Sequence, residues 1–396
     1  MPADSHVIYM DYAATTPVDP DVVEAMEPYL AERFGNASSI YALAQEARQA
    51  IDEARERCAG VLGARAGEIV FNSGGTESDN AALLGVALAR REFGKHIVTT
   101  RIEHHAVLHA AELLEDLGFD VTYVPSGRDG IVAPEAIEQA LTPETTLVSV
   151  MLANNEIGTV QPVAEIARLV KARAAELGRS IVLHTDAVQG PGALDLDVDA
   201  LGVDLLSLSA HKFQGPKGVG LLYIRRHTPF RPTQVGGAQE RDRRAGTENT
   251  PGIVGMSIAL AKADGGREAA SATAQALRDR LITGIAERVD DARLNGHAER
   301  RLPNNVNFSF PGVEAEPLLM GLDLAGIAAS SGSACTAGSL DPSHVLLALG
   351  MSEALARSSL RLTLGPSNTE DEVDYVIETV AGLVPKLRAI AGPRRR

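Results

Sequence analysis

The sequence predicts an α/β fold: a large domain with a mainly parallel seven-stranded sheet, followed by a smaller α/β domain toward the C-terminus. Three observations carry that prediction. Seven short apolar runs alternate with helical patterns between Glu68 and Ile224, as expected for a parallel sheet covered on both faces. The length, 396 residues, exceeds one ordinary core and suits a large unit plus a smaller one. Finally, Asp264-Gly265-Gly266 breaks a helical pattern and marks a boundary. The expected division gives residues 15–263 to the large domain and residues 1–14 and 264–396 to the small one.

Taken in order, Tyr9 to Pro17 is not periodic and reads as an extended arm ending in a turn. Asp19-Pro20 opens a helix, with proline suited to its first turn. Gly35 to Ser39 is a loop, and Tyr41–Leu62 a long amphipathic helix. The strand-like runs are Glu68–Phe71, His96–Thr100, Val121–Val124, Thr146–Met151, Ile181–Thr185, Leu205–Ser209 and Gly220–Ile224. Helical patterns fill Ser78–Phe93, Ala106–Leu117, Pro134–Leu141, Val163–Leu177 and Thr250–Ala263. Beyond the boundary come helix Ala270–Val289, strand Asn305–Phe310, helix Pro317–Ala325, a Gly/Ser-rich loop with Cys335, strand Ser359–Leu364 and helix Asp371–Ile390. No internal repeat or low-complexity segment is read.

Composition excludes several classes. Lys and Arg number 37 against 52 Asp and Glu, a formal charge of −15, which disfavours direct nucleic-acid binding. Arg394-Arg395-Arg396 reads as a solvated tail. No apolar stretch approaches a membrane span, and Met1 to Asp11 has no signal-peptide pattern, so a cytoplasmic protein is expected. The two cysteines rule out a disulfide framework and a cysteine-rich metal site; no metal is expected. Cys58, in a helical pattern, reads as a small packing residue.

In a doubly wound sheet, ligands bind beyond the carboxyl ends of the strands, and five such ends carry chemistry. The first is followed by Asn72-Ser73-Gly74-Gly75-Thr76-Glu77-Ser78-Asp79-Asn80. Glycines and a helix N-terminus suit a phosphate, although the run matches no common nucleotide fingerprint and also fits a plain strand–helix turn. The second leads to Glu103-His104-His105, where one imidazole could stack on a flat ring, move protons or sit idle in a loop. The third leads to Asn154-Asn155-Glu156-Ile157-Gly158, either turn chemistry or polar ligand contacts. The fourth leads to Asp186-Ala187-Val188-Gln189, where a buried carboxylate needs a positive partner, whether a ring nitrogen or a salt bridge. The fifth ends in Ser209-Ala210-His211-Lys212. Lys212 fits an exposed turn lysine or a desolvated amine able to form a Schiff base. Together these groups are what a pyridoxal phosphate site needs.

Those motifs, with Ser331-Gly332-Ser333-Ala334-Cys335 and Ser358-Ser359-Leu360-Arg361, resemble the cysteine desulfurases of the NifS/IscS type. These are class-V aminotransferase-group enzymes of pyridoxal-phosphate fold type I. The resemblance runs from Tyr9 through nearly the whole chain. It implies that Lys212 binds pyridoxal 5'-phosphate covalently and that Asp186 pairs with the ring nitrogen. Gln189 and Asn155 would contact ring substituents, and His104 would stack on the ring and exchange protons. Gly75, Thr76, Ser209 and His211 would hold the phosphate. Thr247 matches a threonine that reaches the phosphate from the other subunit of a homodimer. Arg361, with Asn155, would bind the substrate carboxylate, for which a guanidinium is well shaped.

The reaction so implied is L-cysteine to L-alanine, with sulfur left on Cys335 as a persulfide. The sulfur would then pass to an acceptor protein such as an iron–sulfur scaffold, or to other thio-cofactor or tRNA sulfur supply. Small residues around Cys335 suit a mobile loop, about residues 330–343, of the family's longer-loop group. One departure is Ala238, where a third glycine is usual in Gln234-Val235-Gly236-Gly237-Ala238. A selenocysteine lyase or an aminotransferase is the alternative on this fold; an aminotransferase has no need of Cys335. A non-catalytic sulfur-assembly subunit is the alternative of another class, against which the intact Lys212, His104, Asp186, Cys335 and Arg361 count. A nucleotide-binding protein using Gly74-Gly75 lacks the expected fingerprint.

Overall fold

The computed structural model describes residues 7–237, 239–331 and 341–391. Twelve strands occur among them. They are β1 (Ile8–Tyr9), β2 (Ile69–Asn72), β3 (His96–Thr100), β4 (Asp120–Val124), β5 (Thr145–Ser149) and β6 (Val182–Asp186). They continue with β7 (Leu205–Ser209), β8 (Gly220–Ile224), β9 (Arg293–Leu294), β10 (Asn305–Ser309), β11 (Ile327–Ala328) and β12 (Ser359–Thr363). The seven runs expected between Glu68 and Ile224 form one sheet in the order β2-β8-β7-β6-β5-β3-β4. Neighbours from β7 to β4 are parallel, while β8 is antiparallel to both β7 and β2. Two antiparallel pairings restore direction, so the carboxyl end of β2 lies on the same edge as those of β3, β5, β6 and β7.

The sheet strands are apolar on both faces because both faces are covered. Ile69 and Phe71 of β2 enter one apolar cluster, with Val98, Val148, Leu183 and Leu206. Val70, between them, enters the opposite cluster with Ile97, Leu147, Val182 and Leu205. This alternation is the period of two of a strand. Cys58 lies in the first cluster at 0% exposure, a packing residue whose thiol burial pushes its pKa up to about 12.

The second core gathers on the three-stranded sheet β12-β10-β9. Ile8 and Met10 of the N-terminal arm belong to it, because β1 pairs with β11 and Asp11 bridges to Thr363. Asp264-Gly265-Gly266 is not a linker. Helix Thr250–Gly265 runs through the first two of these residues, and helix Arg267–Arg288 starts after Gly266. Packing changes across that junction: Ile253, Met256 and Leu260 pack in the first core, Leu277, Leu281 and Ile285 in the second.

Helix starts differ from the sequence pattern in one place that matters. The helix expected from Ser78 begins at Gly75 and runs to Arg90. Asn72 sets this start: its side-chain oxygen accepts from the Gly74 amide at 3.1 Å and its amide donates to Ser78 Oγ at 2.7 Å. Gly74 takes φ 151°, open to glycine and not to other residues.

Candidate active site

A cavity of about 300 Å³ opens at the carboxyl edge of the large sheet. It is lined by Gly75, Thr76, His104, Asn155, Asp186, Gln189, Ser209, His211, Lys212 and Arg361, together with Ala13, Ala14 and Asp79. The strand ends named from sequence therefore converge on one space. A larger cavity of about 480 Å³ shares Val188, Gln189 and Lys212 with it, but His104, Asp186 and Arg361 line the smaller one and not the larger. Thr247 is exposed and does not line either. Cys335 falls outside the described residues.

Lys212 ends a short 3-10 turn that follows β7. Its Nζ donates to the carbonyls of Ala13 at 2.7 Å and Ala14 at 2.8 Å. The N-terminal arm thus aims the amine into the cavity, a role that sequence reading missed, since alanine carbonyls give no signal. Gln189 is held the same way, its Nε2 donating to Ala13 O at 3.1 Å.

Asp186 closes β6 and is 6% exposed. Burial pushes its pKa up to about 6, while the Val188 amide at 2.9 Å and the Lys212 charge pull it back. A carboxylate so placed is stabilised by a cation. His104 caps helix His105–Asp116, its Nδ1 accepting from the Ala106 amide at 3.1 Å. Burial first, then the Lys212 charge, push its pKa down to about 4, so the ring is a neutral imidazole. His211 is likewise held to about 4 by burial and by Lys212 and Lys217, with Nδ1 3.1 Å from Thr15 Oγ1.

The two adjacent asparagines divide their roles. Asn154 makes the turn: its Oδ1 accepts from the amides of Glu156 at 2.9 Å and Ile157 at 3.0 Å. Asn155 faces the cavity, and its carbonyl accepts from Arg361 Nη1 at 3.0 Å. Arg361, on β12, is 1% exposed and also donates to Asp11 Oδ1 at 2.7 Å. Glu156 and Glu103 are buried carboxyls beside this wall. Glu156 is pushed up to about 7 by burial and accepts from Ser343 Oγ at 2.5 Å.

The cavity suits pyridoxal phosphate. Gly75 and Thr76 begin a 16-residue helix, whose first-turn amides and dipole favour an anion. A Cβ on Gly75 would lie 2.8 Å from Val188 Cγ2, so a side chain would close the space there. Ser209 and His211 flank this cradle, and the buried Asp186 carboxyl fits a ring cation.

Residues 8–376 match the family model described as aminotransferase class-V. The chain belongs to this family. It is similar to the cysteine desulfurase IscS of Dictyoglomus turgidum, 50% identical over 386 residues, which cover 97% of this chain and 96% of the relative. Among solved structures, a NifS-like protein matches with a TM-score of 0.90 at 39% identity, covering 96% of this chain and all of the other. A structure of SspA in complex with cysteine matches with a TM-score of 0.79 at 38% identity, covering 91% and 100% of the two chains. The family uses pyridoxal phosphate on the fold-type-I architecture, and the seven-stranded sheet found here is that architecture. Among the described residues no helix is long and apolar enough to cross a membrane, and no group of His, Cys, Asp or Glu is arranged to hold a metal ion.

Proposed function

We propose that this class-V enzyme is a cysteine desulfurase, converting L-cysteine to L-alanine and passing the sulfur through Cys335. The observation that carries the reading is the convergence of Lys212, Asp186, His104 and Arg361 on one cavity. Bound there, pyridoxal phosphate supplies an electron sink for chemistry at the substrate Cα. Lys212 would hold the cofactor and move the proton at Cα. Gly75, Thr76, Ser209 and His211 would hold its phosphate, Asp186 would face its ring nitrogen, and Asn155 and Gln189 would orient its ring. His104, a neutral imidazole, would stack on the ring and give or take a proton.

Arg361 orients the substrate through its carboxylate, and Asn155 lies beside it. Cys335, as a thiolate, attacks the substrate sulfur. The carbon–sulfur bond breaks, Cys335 keeps the sulfur as a persulfide, and protons returned to carbon release alanine. An acceptor protein, such as an iron–sulfur scaffold, then takes the sulfur.

The same reading makes the enzyme a homodimer in which Thr247 completes the phosphate site of the partner subunit. Its exposure in the single chain supports this, as do the exposed side chains of Leu30, Phe34, Ile40 and Val235, since exposed apolar groups favour association. We assign residues 15–263 to the cofactor domain and residues 1–14 and 264–396 to the small domain. The separate core shared by Ile8, Met10 and residues from Leu277 onward supports the division, while Val345, Leu346, Leu349 and Ala356 pack back into the first core.

The test is alanine formation from L-cysteine, set against selenocysteine and against a keto-acid acceptor with an amino donor. Alanine from cysteine, lost with sulfide release in Cys335→Ser, supports the reading. Efficient transamination with Cys335→Ser fully active would replace it by an aminotransferase.

A further inference from the structure

Behind the cofactor cavity lies a cluster of buried titratable groups that the reaction above leaves without a role. Asp79 sits one turn beyond Gly75 on the same helix face, 1% exposed and lining the cavity. Its Oδ1 has no hydrogen-bond partner and lies 3.6 Å from His184 Nε2. His184, on β6, is fully buried; its Nδ1 lies 2.8 Å from Ser149 Oγ and its Nε2 2.9 Å from Ser207 Oγ. Two further carboxyls face the same region, Asp186 and the fully buried Glu103.

Several buried carboxylates in Coulomb range of one another cannot all stay charged. Asp186 has what an anion needs, a backbone amide at 2.9 Å and the Lys212 charge. Glu103 accepts from Thr100 Oγ1 at 2.7 Å and the Met151 amide at 3.0 Å, and burial still pushes it up to about 8. Asp79 Oδ1 has no hydrogen-bond partner, and burial and the Asp186 charge push its pKa up against the opposing pull of Ser207. Its imidazole neighbour offers no charge, because burial pushes His184 down to about 3.

We propose that Asp79 is an uncharged positioning residue. As a carboxylic acid beside the bonded His184–Ser207 pair, it completes a neutral floor that leaves Asp186 as the anion opposite the cofactor's ring nitrogen. A second anion here would bind the ring proton more tightly and spread the counter-charge over two sites; a neutral acid keeps it at one. The proposal rests on the cofactor roles given above.

Infrared spectra and cofactor binding test it in the full-length chain. With and without cofactor, the wild type is expected to show the carbonyl stretch of a buried protonated carboxyl that Asp79→Asn removes. Asp79→Asn, which keeps shape and neutrality, is expected to hold pyridoxal phosphate within about threefold of wild type. The pH midpoint of its visible absorbance should not move. Asp79→Ala, which leaves a hole beside His184 at the cavity wall, is expected to weaken cofactor binding by at least about tenfold. Loss of a carboxylate band instead of the acid band in Asp79→Asn would overturn the proposal. So would a midpoint shift of about one unit or more in that variant, or Asp79→Ala binding like wild type. If Asp79→Ala does not fold, the Asp79→Asn spectra decide. A chain that takes up no pyridoxal phosphate would refute the cofactor roles, while the infrared band of the free chain would still report the state of Asp79.

Discussion

Arg361 and Asp11 meet at 2.7 Å across the cavity wall, while the Arg361 Nε stays buried without a hydrogen-bond partner. The guanidinium is therefore fixed in place yet keeps a donor in reserve. On the proposed reading the substrate carboxylate engages this planar guanidinium, whose geometry an ammonium cannot reproduce. Arg361→Lys is expected to raise KM for cysteine by about a hundredfold, with the cofactor absorbance kept. An unchanged KM in steady-state assays would remove Arg361 from substrate binding.

Lys212 is held by two backbone carbonyls of the N-terminal arm. On the proposed reading, Lys212→Ala removes the covalent attachment and the proton carrier together. The purified variant is expected to lose or shift the yellow colour of the wild type, to release cofactor on dialysis, and to lose at least about a thousandfold in kcat. Absorbance spectra before and after dialysis check it; a spectrum equal to wild type contradicts the assignment.

Glu156 predicts a pH effect with a definite sign. Burial raises its folded-state pKa from 4.5 to about 7, so the native chain binds this proton more tightly than the unfolded chain. Its stability contribution is full below about 4.5 and is lost as pH rises through about 7. Glu156→Gln keeps an acceptor for Ser343 without the titration. Its Tm relative to wild type is expected to climb across that window. A constant difference between the two melting curves from acid to neutral pH would refute the assignment.

Arg55 and Glu240 form a buried two-pronged pair, with Nη1–Oε2 2.7 Å and Nη2–Oε1 2.9 Å. Glu240 Oε2 also accepts from the Phe71 amide at 3.1 Å, and Glu240 lies on the segment leading to Thr247. Removing one partner strands a buried charge, so Arg55→Ala is expected to cost about 3–5 kcal/mol. Denaturant unfolding checks the cost. Cofactor loss at lower denaturant than global unfolding is also expected, as the segment carrying Thr247 loosens first.

Much of this site could be read from the strand ends. Asp186, Lys212 and His104 follow apolar runs too buried to tolerate polar groups without a reason, and the sheet brings those ends to one edge. Asp79 was harder to see: it lies on a buried helix face with Ser78, Ala82 and Leu83, and an acid on an apolar stripe was its one local signal. The Ala13 and Ala14 carbonyls have no side-chain signature at all. Two-residue strands such as β1 and β11 are too short for periodicity and form because distant segments supply their partners. Helix Gly75–Arg90 began early because the Asn72 side chain and Gly74 set its start, which propensity does not register. The expected break at Asp264 marks a change of core, where two helices meet rather than a loop.

The N-terminal arm joins three distant parts of the chain. Asp11 reaches Arg361 across 350 residues, and Ala13 reaches Lys212 across 199. Contacts so remote in sequence are slow to form, because loop closure precedes any gain. During synthesis, Lys212 leaves the ribosome long before β11 and β12, the strands against which the arm docks, have been made. The position of the lysine therefore depends on contacts supplied by both ends of the sequence, and a truncation that removes β11 and β12 would unseat the arm that holds it.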